Sequence, residues 1–276
     1  MTTIALLGAG GKMGLRITDR MRDSEYAMRY IEIDPERQGR LHERGVTVTP
    51  QDEALADADV VIMALPDALI GRLAPAIVAP LKPCATVICL DPAAPMAGQL
   101  PPRNDITYFI THPCHPPVFN DEIDLEARHD YFGAIKARQH IVCALMQGPE
   151  EAYEQGVAIA RLMFAPVMNA HRITTEQMAI LEPALAETLA ATCITIIREG
   201  LDEAIRRGVP PEAARDFLLG HINIELAIVF GQVSSPFSDG AIKAIEQAKS
   251  VLFQPDWKRI FEPEAIQQSV NDISGV

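Results

Sequence analysis

The 276-residue chain is short of positive charge: 24 lysines and arginines stand against 37 aspartates and glutamates, a net charge of −13. Such a surface repels polyanions, so nucleic acid and anionic membrane are not expected partners. A small anionic substrate stays open, because local charge overrides the total. Cysteine is also scarce. The five residues (Cys84, Cys89, Cys114, Cys143, Cys193) are scattered and odd in number, with neither a disulfide framework nor zinc-knuckle spacing. A reducing, cytoplasmic compartment is expected. No unbroken apolar run reaches about 18 residues, so no membrane-spanning helix is expected. The opening MTTIALLGAG lacks a basic region and runs straight into a motif, which argues against a signal peptide there. What is present is an ordinary globular composition, 48% hydrophobic and 22% charged. The length suits two domains, or one with a large appendage.

Residues 3–7 form a short β-type apolar run. GAGGKMG follows at 8–14, then a helical pattern carrying Met13, Leu15, Ile17 and Met21. The next strand, MRYIEID, is expected to end at Asp34, 20 residues after Gly14. That is about the separation at which the acid of a dinucleotide-binding fold meets the adenosine ribose. The third position of GxGxxG is Met13, with Gly14 after it, so the match is imperfect. The surrounding strand, helix, strand and acid make the pattern specific. Gly8 allows the tight turn, and Gly10 lets backbone amides approach a pyrophosphate. Gly11, Lys12 and Met13 open a helix whose N-terminus supplies donors and partial positive charge. Lys12 either touches the pyrophosphate or is a solvated lysine on the first turn. Asp34 accepts ribose hydroxyls and repels a 2′-phosphate, so NAD is expected over NADP.

The alternation continues. Residues 45–48 read as a short strand, and 56–67 as a buried parallel strand ending in a proline turn. Leu65 and Pro66 then lie at its carboxyl end, where open α/β sheets bind ligands. Residues 69–81 suit a helix, 85–95 another strand and turn, and 106–111 the next strand. THPCHPP, 111–117, opens at the end of that strand. Its prolines exclude a helix and a central strand, and they hold His112 and His115 on the ligand-facing edge. With Glu182 the histidines suit a divalent cation, with open coordination positions for Lewis-acid chemistry. A purely acid–base pair, or two rings hydrogen-bonded in a rigid turn, are the alternatives. Cys114 between them reads as structural.

From about residue 150 strand signals nearly vanish. The expected fold class is therefore α/β: an N-terminal Rossmann domain with a doubly wound sheet (1–149), followed by an all-α C-terminal domain (150–276). Residues 174–208 read as one long helix, capped by Thr174 or Thr175 and ended by Gly208 with Pro210 and Pro211. Further helices are expected at 211–230 and 240–253. On the long helix Met178, Glu182, Leu185, Leu189, Cys193 and Ile196 share a face. Glu182 in that apolar stripe needs a partner: it is a metal ligand or general base, or it pairs with an arginine. His221 and Glu225, four apart, offer a second metal pair or an ordinary i,i+4 contact. His171 and Arg172 are candidates for a substrate carboxylate. The apolar stripes favour a homodimer.

At GAGGKMG, IEIDP and VIMALPD the chain resembles the broad 6-phosphogluconate dehydrogenase and prephenate dehydrogenase-like group. With THPCHPP and the LEPALAET helix it resembles, more narrowly, the D-apionate oxidoisomerase family. The resemblance implies an enzyme that oxidises a branched sugar acid, D-apionate, with NAD and rearranges its carbon skeleton to 3-oxo-isoapionate. A plain hydroxy-acid or prephenate-type dehydrogenase is the alternative. The long helix lacks a KxxxN before its glutamates, which counts against oxidative decarboxylation of a sugar phosphate. The implied roles are His112 and Glu182 on a divalent cation and His115 as general acid/base.

Overall fold

The computed structural model describes all residues, Met1–Val276. The first half alternates β1 (Thr3–Leu7), α1 (Lys12–Met21), β2 (Ala27–Ile31), α2 (Pro35–His42), α3 (Gln51–Ala56), β3 (Val60–Met63), α4 (Asp67–Val78), β4 (Thr86–Cys89), α5 (Ala93–Met96) and β5 (Thr107–Pro113). Then come α6 (Leu125–Arg128), β6 (Gln139–Gln147), α7 (Glu150–Met163), β7 (Val167–Arg172) and α8 (Thr175–Ala179). The strands make one seven-stranded sheet in the order β2-β1-β3-β4-β5-β6-β7. The first five run parallel; β6 is antiparallel to β5, and β7 is parallel to β6. The order reverses between β1 and β3, the switch point where such sheets take ligands.

Both sheet faces are buried, which is why the parallel strands read as continuous apolar runs. One face packs Ile4, Leu6 and Phe109 under α1 and α7 through Ile17, Met21 and Ile159. The other packs Leu7, Val61 and Met63 under α4 and α8 through Ile70, Ile77 and Met178.

Three expectations need correction. β2 ends at Ile31, not Asp34, so the residue at its carboxyl end is Glu32. Residues 45–48 are not a strand; only a single Tyr30–Val48 bridge forms there. The boundary at 149/150 falls inside a compact unit comprising residues 1–183 and 266–276. The cause is β7, whose sequence VMNAHR has no buried residue, being an edge strand, and so carries little apolar signal. Pairing of β7 with β6, with α7 packed against the sheet between them, keeps residues 150–172 in this first unit.

The second unit, residues 184–265, is helical. It contains α9 (Thr192–Arg206), α10 (Pro211–Val229) and α11 (Asp239–Leu252), close to the expected spans, and a 3-10 turn at Trp257–Phe261. α12 (Pro263–Ser274) ends the chain. The expected long helix is continuous from Thr175 to Arg206, with a full capping box at Thr174. Its middle, Ile180–Ala191, winds as a π-helix. Pro183 lies inside that stretch and has no N–H to give to an i−4 carbonyl, which breaks the α ladder. By length and composition this helix would also suffice to cross a membrane, with a mean hydropathy of 1.6 over its most apolar stretch. The expectation rested on unbroken runs, and Glu182 and Glu187 interrupt this one.

Candidate active site

Gly8 leaves β1 with φ +69, and its carbonyl accepts the Gly11 N–H at 2.9 Å, closing the turn that starts α1. A side chain at Gly14 would collide with the Gly8 carbonyl. Gly14 therefore does the close-packing work of a third fingerprint glycine, one position later than the motif expects. Met13 packs inward against the core, so only its backbone belongs to the turn. Leu65 and Pro66 follow β3 beside this turn: the Ala64 N–H donates to the Leu7 carbonyl at 3.1 Å. The Lys12 ammonium sits 4.0 Å from the Phe132 ring centroid, and the Arg16 guanidinium 4.5 Å.

The acid at the glycine turn is Glu32. It is 6% exposed, and one carboxylate oxygen accepts the Gly10 N–H at 3.1 Å. The other accepts Ile33 N–H at 2.9 Å and Asp34 N–H at 3.1 Å. Asp34 instead caps α2 by accepting the Arg37 N–H at 3.0 Å. A carboxylate offers about four acceptor positions. Glu32 has used three, which leaves one for a ribose hydroxyl.

The parallel register aligns Leu7, Met63, Cys89 and Ile110 across the sheet. Asp91 lies two residues beyond Cys89, and His112 two beyond Ile110. Both therefore stand at one level on the rim that carries the glycine turn, with β5 three strand spacings from β1, roughly 14 Å. His112 Nδ1 lies 2.8 Å from the Leu90 carbonyl oxygen. A carbonyl only accepts, so Nδ1 carries a proton and Nε2 is the nitrogen left for a further partner. Glu182 Oε2 is 3.5 Å from that Nε2, and Asp91 Oδ2 is 3.7 Å from Nδ1. The other Asp91 oxygen is held by the Ala93 N–H at 2.8 Å. One ligand atom from each of Asp91, His112 and Glu182 lies within 4.8 Å of the others. Two carboxylates and an imidazole oriented by a backbone carbonyl fit a divalent cation. Glu182 thus faces His112, not an arginine. Crowding that keeps water from the sulfur, and secondarily the Glu182 charge, hold the Cys114 thiol above its usual range, although the residue is exposed by area.

His115 has φ 60, a left-handed conformation uncommon without a glycine. Its Nδ1 is 3.0 Å from the Phe132 carbonyl oxygen, so Nδ1 donates there and Nε2 is the nitrogen left for other partners. Its ring meets that of His112 edge-on, centroids 6.3 Å apart. Residues around Phe132 are pinned from two sides. Asp130 accepts the N–H groups of Ile135, Lys136 and Ala137, and Arg20 donates to the carbonyls of Ala134 and Ile135. Phe132 thereby links His115 to the start of α1.

Other expected residues fall elsewhere. His221 Nδ1 lies 2.8 Å from the Phe217 carbonyl oxygen, and its ring stacks on Phe217. Arg172 is paired with Glu150 and lies over Tyr153. The sequence reading missed Asp91, Glu32 and Phe132. Asp91, at the end of the apolar run TVICLD, carried the same strand-terminal signal as His112.

Residues 120–274 match the family model for the phosphogluconate dehydrogenase (decarboxylating) C-terminal domain. A D-apionate oxidoisomerase from Rhizobium rhizogenes is 51% identical over 275 residues, covering 99% of this chain and 100% of that protein. One from Cupriavidus necator is 49% identical, covering 98% and 99%. A crystal structure from Cupriavidus necator, described as a semialdehyde dehydrogenase NAD-binding protein in complex with calcium and NAD, is 49% identical. It has a TM-score of 0.97 and covers 99% of both chains. The glycine turn, the imidazole–carboxylate corner and this likeness along nearly the whole chain agree: the protein belongs to the D-apionate oxidoisomerase family, within the phosphogluconate dehydrogenase-like group.

Proposed function

We propose that this chain oxidises D-apionate with NAD and rearranges its carbon skeleton to 3-oxo-isoapionate, aided by a divalent cation, as a cytoplasmic homodimer. The observation that carries the reading is the convergence of Asp91, His112 and Glu182 within 4.8 Å, on the same sheet rim as the glycine turn. A bound divalent ion would supply Lewis acidity and bound NAD a hydride acceptor. The residues that would hold the ion are Asp91, His112 through Nε2, and Glu182. Gly8, Gly10 and Gly11 and the amides opening α1 would receive the pyrophosphate, with Lys12 close by and Leu65 and Pro66 alongside. Glu32 takes the ribose role that the sequence spacing suggested for Asp34.

His115 Nε2 takes the hydroxyl proton as the secondary alcohol becomes a ketone. A base then removes the neighbouring tertiary hydroxyl proton. The migrating carbon moves with its bonding electrons to the ketone carbon, whose oxygen gains a proton, and the tertiary carbon becomes the new carbonyl. The left-handed turn at His115 and its bond to Phe132 hold the ring for this exchange. Helices α9 and α11 bury no residue within their unit, and α10 buries only Ala214. Ile194, Phe217, Phe230 and Val251 are exposed, and a second copy of the chain is the proposed cover.

The test is NADH formation from D-apionate and NAD, with NMR of the product. New carbon connectivity and loss of turnover on chelation are expected. Oxidation without rearrangement would leave a plain dehydrogenase, and no turnover would overturn the reading. Sedimentation velocity reads the dimer, and a monomer at micromolar concentration would overturn that part.

A further inference from the structure

Sheet register places two more imidazoles on the face that carries His112. His112 pairs with Val142 of β6, and Val142 pairs with His171 of β7. Residues paired across strands share a face, and so do residues two apart along one strand. His140 therefore joins His112 and His171. Its carbonyl accepts the Cys114 N–H at 2.9 Å, which fixes it beside the proline corner. The His140 and His171 rings lie 5.4 Å apart, tilted by 42°. His140 Nδ1 is buried with no hydrogen-bond partner in the chain, and an orphaned buried polar atom is costly. The register between β6 and β7 shifts between Gln139 and Ile141, beside His140, and such irregularities re-aim side chains near active sites. The neighbouring cation is turned away: Arg172, one residue on, points to the other face, where Glu150 neutralises it. The two strand spacings from His112 to His171 are roughly 10 Å between backbones, a gap the side chains narrow from both ends.

We infer that His140 and His171 form the subsite that receives the substrate carboxylate, beside the corner formed by Asp91, His112 and Glu182. The inference rests on the sugar-acid reading above and adds to it the residues that distinguish an acid from a neutral polyol. In a chain of net charge −13 the pair gives an anion an N–H donor side to approach, and the buried Nδ1 gains the partner it lacks. His171→Gln and His140→Gln are compared with the unaltered enzyme on D-apionate and on its uncharged amide. For each variant KM for D-apionate is expected to rise about ten- to a hundredfold, the value of a hydrogen bond to a charged group. KM for NAD and the melting temperature hold, kcat changes little, and the preference for acid over amide collapses. Unchanged KM for the acid, or a loss confined to kcat with the preference kept, overturns the inference. Should His140→Gln fold poorly, His171→Gln decides alone, since that side chain is exposed on an edge strand. Failure of the unaltered enzyme to oxidise D-apionate overturns the sugar-acid reading instead, and is distinguished by that control.

Discussion

The sharpest test of the cofactor site is Glu32→Gln set beside Asp34→Asn. Glu32 accepts three backbone N–H groups, one on the oxygen facing Gly10 and two on the other. An amide keeps only one acceptor oxygen. If that oxygen stays on Ile33 and Asp34, the new NH₂ opposes the Gly10 N–H; the flipped amide opposes two donors. The cheaper orientation loses one charge-assisted bond in a site only 6% exposed, about 1.5–3 kcal/mol. At roughly 2–4 °C per kcal/mol for a domain of this size, the melting temperature falls by about 3–12 °C. A ribose hydroxyl loses a charged acceptor and keeps a neutral one, which weakens NAD by about tenfold. The carboxylate also repels a 2′-phosphate. Two unit charges about 4 Å apart at an effective dielectric constant near 20 interact by about 4 kcal/mol. Removing one should lower the NAD-over-NADP ratio by about two to three orders of magnitude. Asp34→Asn keeps a good helix cap, since Asn and Asp rank together there, and should leave stability and cofactor choice nearly unchanged. Calorimetry gives the melting temperatures, and titration of NADH and NADPH fluorescence gives the affinities. Glu32→Gln with wild-type cofactor preference, alongside Asp34→Asn that loses it, would refute the reasoning and return the ribose to Asp34.

Further outcomes follow from the same geometry. His112→Ala and Asp91→Asn each remove a candidate ligand and should cost at least the 10–100-fold in metal affinity that loss of an outer partner costs; isothermal titration with calcium or magnesium reads this, and undiminished affinity would count against the corner. Gly14→Ala pushes a methyl into the Gly8 carbonyl and should destabilise the protein by about 1–3 kcal/mol, with weaker NAD binding; a neutral result would mean that α1 can retreat without harm. Asp59 bonds Lys82 and the Thr3 N–H, and both hold its carboxyl below the usual range. Its folded pKa is lowered, so its contribution is present above the unfolded value near 3.9 and disappears as pH falls through the folded one. Asp59→Asn should therefore melt lower at neutral pH and converge with the wild type in acid; a constant difference across the range would show that the carboxylate's charge is not responsible.

The parallel half of the fold was legible because burial on both faces makes its strands uninterrupted apolar runs, as in VVIM and TVIC. Glycine and proline then mark where each run turns. The end of β2 was misread by three residues: Ile33 continues the apolar alternation but is 84% exposed, beyond the last ladder pair at Ile31. That slip put Asp34, and not Glu32, at the carboxyl end of β2. β7 was missed for the opposite reason, since an edge strand need not be apolar. The π-helical winding around Glu182 was half legible, because Pro183 announces a broken ladder without saying how far the wider turn extends. His112, His115 and Glu182 were singled out by residue type. The meeting of Asp91 with His112 required the register between β4 and β5, which no local pattern encodes.

The two histidines of the proline corner are held alike and surrounded differently, and the difference supports the separate roles proposed for them. Each gives Nδ1–H to a backbone carbonyl, Leu90 for His112 and Phe132 for His115. Each thus keeps Nε2 for other partners. Around His112 two carboxylates come within 3.7 Å, so a cation placed there finds charge as well as a lone pair, and a proton held there would compete with it. The neighbours of His115 are an aromatic ring and the other imidazole, and that site can gain and lose a proton without displacing a ligand. Exchanging the environments would exchange the roles. A carboxylate introduced by Phe132→Asp beside His115, where Phe132 now sits, should stabilise the protonated ring and shift the acidic, rising limb of the rate profile to higher pH, while calcium binding at His112 persists. A profile unmoved by that charge would take the proton-transfer role away from His115.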